Sequence, residues 1–78
     1  MFEILKVTAI FEGGKVVKYV GDSVRRLMGT PEVSHVDTAR KIIWARIKDL
    51  QEEPRNEAIG KVKRIILAYR EKERSINQ

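Results

Sequence analysis

The sequence predicts an α+β fold in which an N-terminal β-hairpin packs on a small bundle of three helices, in the order β-β-α-α-α. Three observations predict it. Two runs rich in β-branched and aromatic residues flank a pair of glycines, three later segments space apolar residues three and four apart, and glycine or proline separates those segments.

The hairpin is expected over about residues 3–20. Ile-Leu-Lys-Val-Thr-Ala-Ile-Phe (4–11) and Val-Val-Lys-Tyr-Val (16–20) are the strands, and Gly13-Gly14 supplies the positive φ that a tight turn demands. A two-residue turn sets Glu12 opposite Lys15, Phe11 opposite Val16 and Val7 opposite Val20, with Ile10/Val17 and Thr8/Tyr19 on the other face. Both faces are partly apolar, and a two-stranded ribbon alone is barely stable. One face is therefore expected to pack on helices, and the other to meet a second chain or the remaining helix.

A short helix over about 23–28 follows from Gly21-Asp22-Ser23 as an N-cap, the spacing of Val24, Leu27 and Met28, and Gly29 as a stop. Thr30-Pro31 ends it. Ser34-His35-Val36-Asp37 resembles a capping box and opens a helix over about 34–53, whose stripe is Val36, Ala39, Ile43, Ile47 and Leu50, widened by Ile42 and Trp44. After Pro54, Asn56 caps a third helix over about 56–74 with Ala58, Ile59, Val62, Ile65, Ile66 and Tyr69 on one face.

Residues 1–78 read as one domain, near the lower size limit for a single unstapled core, so a homodimer is expected. Charged residues make up 35% and hydrophobic residues 42%, a balance that argues against disorder. Cysteine is absent, which removes disulfides, thiolate nucleophiles and cysteine-based zinc sites and fits a cytoplasmic setting. No apolar run is long enough to cross a bilayer, and the start lacks a signal-peptide pattern, so no membrane partner is expected.

Catalysis finds little support. Ser23, Ser34 and Ser75 occupy cap or tail positions, and His35, the one histidine, sits in a helix's first turn. Asp49, Glu52 and Glu53 gather with Arg46 and Lys48 as a solvated helix end. Gly13-Gly14 is not followed by the helix start and Lys-Ser/Thr of a phosphate cradle. No enzyme activity, metal site or cofactor is expected.

The charge is the better lead. Of a net +5, residues 1–20 carry three basic and two acidic side chains, residues 21–54 six of each, and residues 55–78 seven against three. On a third helix Lys63, Arg70 and Arg74 fall in one stripe, with Lys61 and Arg64 on the other side of the exposed arc; Arg25, Arg26 and Arg40 extend the surface if they face the same way. The expected function is a small basic nucleic-acid-binding protein, a candidate transcription regulator, meeting phosphates of DNA in preference to RNA. The alternative is a protein-interaction module using the apolar hairpin face and the Trp44 region. Glu57 with Lys61 and Arg70 with Glu73 are also what any solvated helix carries. Leu27-Met28-Gly29 and the "VSHVDTARKIIWARIKDLQ" that follows are similar to the middle of SWIB domains. The N-terminal hairpin departs from that family, so the resemblance implies only a binding module.

Overall fold

The computed structural model describes residues 1–51 and 60–72, with the side chains of residues 50 and 51 excepted. β1 (Phe2–Phe11) and β2 (Val16–Val20) form the hairpin, followed by α1 (Asp22–Met28), the two-residue β3 (Glu32–Val33), α2 (Val36–Gln51) and β4 (Val62–Glu71). The architecture is therefore a four-stranded antiparallel sheet with two helices, and the predicted bundle of three helices is wrong. The helix expected over 56–74 is replaced, across its described residues, by a strand that pairs with β1 from end to end.

The hairpin turn takes three residues, not two. Gly14 N–H donates to Phe11 O at 2.9 Å, Phe11 N–H donates to Lys15 O at 2.9 Å, and Gly14 adopts φ 89°. That is a three-residue turn closed by a left-handed glycine, and its extra residue moves the register by one. Ile10 now faces Val16, Ala9 faces Val17 and Val7 faces Tyr19. Because side chains alternate, the shift changes which residues of β2 are covered. Val17 and Tyr19 turn inward, while Val16 (48%) and Val20 (55%) stay exposed.

Two irregularities in the β1–β4 ladder decide the rest of the inward set. Opposite β4, Ile4 pairs with Tyr69 and Lys6 with Ala68, so Leu5 is an extra residue on β1. On β4 the extra residue is Lys63, since Ile10 pairs with Arg64 and Phe11 with Val62. Each bulge places two successive side chains outward, Leu5-Lys6 and Lys63-Arg64, and resets the alternation. Ile4, Val7, Ala9 and Phe11 thereby all face the helices, as do Val62, Ile65 and Leu67.

Both helices cover that one face. Val24 and Leu27 of α1 and Ala39, Ile43 and Ile47 of α2 join the inward strand residues in a single buried cluster. Gly21 occupies the N-cap of α1 in place of Asp22 or Ser23, and Gly29, at φ 87°, ends the helix by donating its N–H to Arg25 O at 2.6 Å. β3 lies along β1 beside β2: Phe2 pairs with Val33, and Ile4 N–H donates to Pro31 O at 2.9 Å.

An ion pair fastens the far end. Lys72 Nζ donates to Glu32 Oε1 at 2.5 Å, joining the end of β4 to β3. That hydrogen bond, and then the charge of Lys72, hold the Glu32 carboxyl below its ordinary value; the same bond raises Lys72. A depressed carboxyl contributes stability above its unfolded value and loses it as pH falls through the folded one. A raised ammonium contributes below its unfolded value and loses it as pH rises through the folded one. The link is therefore intact across neutral pH. In Lys72→Met the Glu32 side-chain NMR titration is expected to return to the ordinary glutamate range; an unchanged midpoint would show that Lys72 does not set it.

Candidate functional site

The helices leave the opposite face of the sheet open. Its residues fall in cross-strand rows: Val16, Ile10 and Arg64; then Lys18, Thr8 and Ile66; then Val20, Lys6 and Ala68. Each row holds one cation. Rows stand about 6.7 Å apart along the strands and neighbouring strands about 4.8 Å apart. Arg64, Lys18 and Lys6 thus occupy a patch of roughly 10 by 13 Å, with Lys63 at its corner through the β4 bulge. Between the cations the floor is aliphatic, with Leu5 44% and Ile66 42% exposed.

The acid near this face sits at its ends: Glu32, opposite Glu3 on β3, is bonded to Lys72, and Glu12 at the turn accepts from the Lys61 N–H. Glu3 lies opposite Arg70 at the far end, and Arg70 donates from Nε to Glu3 Oε1 at 2.7 Å, with Nη2 ion-paired to the same oxygen at 2.7 Å. That pair largely neutralises itself, which leaves Lys6, Lys18, Lys63 and Arg64 as the face's uncompensated charge. No aromatic ring of a described residue lies there. Phe2 and Tyr69 meet edge-on at 5.6 Å on the opposite side of the sheet, and Phe11 is buried in the core.

The eight cations singled out in the sequence do not form one surface. Lys63, Arg64 and Arg70 share the open face, although on a strand and not on a helix. Lys61 immediately precedes β4 with an exposed side chain, its N–H donating to Glu12 Oε1 at 3.2 Å. Arg25 and Arg26 belong to α1, on the covered side, where Arg26 lines a shallow groove of about 290 Å³ with Tyr19 and Arg46. Arg40, on α2, donates from Nη1 to Ile65 O at 2.7 Å and faces the margin of β4. Arg74 lies outside the described residues. Lys6 and Lys18 were missed. The signal that finds them is the hairpin's alternation once the three-residue turn is known: both sit at outward positions.

A second groove, of about 350 Å³, runs between α2 and β4; Arg40, Trp44, Lys63 and Arg64 line it with the stretch from Ile65 to Leu67. Among the described residues, no cluster of three His, Cys, Asp or Glu is placed to hold a metal, and no helix is long and apolar enough to cross a membrane. No protein-family model, curated protein or solved structure matches the chain.

Proposed function

We propose that this protein binds nucleic acid through the open face of its sheet, with Lys6, Lys18, Lys63 and Arg64 meeting phosphates. One observation carries the reading: the carboxylates at the ends of the face that the helices leave uncovered are already engaged, Glu3 by Arg70, Glu32 by Lys72 and Glu12 by the Lys61 N–H, whereas Lys6, Lys18, Lys63 and Arg64 have no carboxylate opposite them among the described residues. The four remaining cations are spread over two dimensions, which suits the paired backbones of a duplex better than a single file of phosphates. The absence of a ring on that face also removes the stacking platform that single-strand binders use. Duplex DNA is therefore the favoured ligand, consistent with a cytoplasmic regulator of transcription. A homodimer, which the short chain favours, doubles the phosphates met.

Four phosphate contacts, at about −0.9 each, give a slope of roughly −3 to −4 in log affinity against log salt. Fluorescence anisotropy with a labelled duplex, a single strand and an RNA hairpin measures it. The duplex is expected to bind tightest at low salt with that slope. No duplex binding at low salt, or a slope near zero, removes this function.

A further inference from the structure

We propose that the outward margin of β4 over residues 65–69, with the groove between it and α2, takes an extended acidic peptide as an additional strand of the sheet. The site goes beyond the phosphate reading: it uses the outward main chain of β4 and Arg40 of α2, and it shares Lys63 and Arg64 with the rim of the open face.

The backbone directions follow from alternation. Phe11 N–H donates to Lys15 O, so Phe11, Ala9 and Val7 direct their polar groups to β2, and Ile10, Thr8 and Lys6 direct theirs to β4. The partners of that second set are Arg64, Ile66 and Ala68. Ile65, Leu67 and Tyr69 therefore point their N–H and C=O groups away from β1. Arg40 is consistent with this, since its guanidinium reaches Ile65 O from α2. Among the described residues no strand pairs with that margin, and nothing is bonded to the outward N–H of Leu67 or Tyr69.

A row of outward amides two residues apart matches the repeat of an extended chain, and main-chain pairing along a sheet margin is a general way to hold one. Charge selects which peptide. Among the described residues, the groove's lining contains Arg40, Lys63 and Arg64 and no carboxylate. Arg40 has further N–H groups beyond the one on Ile65, in a fork that suits a carboxylate. Trp44, half-buried at the groove wall, offers an apolar surface to alternate side chains of the guest. A second copy of β4 fits less well, because it brings its own Lys63, Arg64 and Arg70 to a margin already cationic.

The test is amide NMR on the full chain with the peptide acetyl-Thr-Glu-Val-Glu-Val-Glu-Thr-amide. A control peptide has lysine in place of each glutamate. Hydrogen exchange at Leu67 and Tyr69 is expected to slow by about tenfold or more with the acidic peptide only. Arg40→Glu and, separately, Lys63→Glu are expected to abolish the protection; two sites guard against one variant folding poorly. Unchanged exchange at those amides, or equal protection by the lysine peptide, overturns the proposal. Protection that rises with protein concentration alone assigns the margin to a second copy and also overturns it. Duplex DNA protecting the same amides would assign the groove to nucleic acid instead. Loss of DNA binding with peptide protection intact would sink only the open-face reading.

Discussion

Replacing Ile43 with alanine is expected to lower stability by about 2–5 kcal/mol, the range for emptying a well-packed aliphatic site. Ile43 is 0% exposed, in the middle of α2, and packs in the one cluster shared by both helices and the sheet. The cost combines lost transfer energy with a cavity that the surrounding β-branched residues cannot readily fill. Small domains hold only about 5–15 kcal/mol in total, so the variant stands close to unfolding at ambient temperature. Urea denaturation followed by circular dichroism measures the change. Ile42→Ala, one position away but 37% exposed, is the comparison and is expected to stay within about 1 kcal/mol of the parent. Equal costs at the two positions would mean that α2 presents a different face to the sheet.

The second large effect is on binding. Lys6→Glu combined with Arg64→Glu reverses one charge on the central strand and one on β4, in different rows of the open face. Each lost phosphate contact flattens the salt slope by about 0.9 and, near 50 mM salt, costs about tenfold in affinity. The double variant is thus expected to bind duplex DNA about a hundredfold more weakly, with roughly half the parent slope. Reversal of Arg25 and Arg26 instead removes the same formal charge from the helix-covered side. It is expected to leave the slope nearly unchanged. If both pairs behave alike in the salt-titrated assay, net charge alone governs association and the open face has no special role.

Much of the scaffold was legible in the sequence. The glycine pair, the Val24–Leu27 spacing and the Ala39–Ile43–Ile47 stripe each reflect a local rule, and each corresponds to an element of the structure. β4 was not legible, for a physical reason. The bulge at Lys63 puts Val62 and Ile65, three apart, on the same face, and Tyr69 follows four further on. Those intervals belong to a helix as much as to a bulged strand. Its β-branched content was the contrary signal, and the decision came from pairing with β1 more than fifty residues away, which no local window contains. Misreading β4 carried over to the site. Lys63 and Arg70 were read as one stripe of a helix with Arg64 across the exposed arc; the face that all three share, with Lys6 and Lys18 as neighbours, exists only once the sheet is assembled.

The extra link at Leu5 has a bearing on how this chain tolerates changes in length. Counted by sidedness, β1 behaves as a run one position shorter than its ten residues. Excising Leu5 would straighten the ribbon while keeping Phe2 and Ile4 on the oily side and Glu3 on the wet one. Excising Thr8 would turn everything on one side of the cut inside out. The irregular step thus works as slack in the chain, a place where its length can drift without exchanging the interior for the exterior.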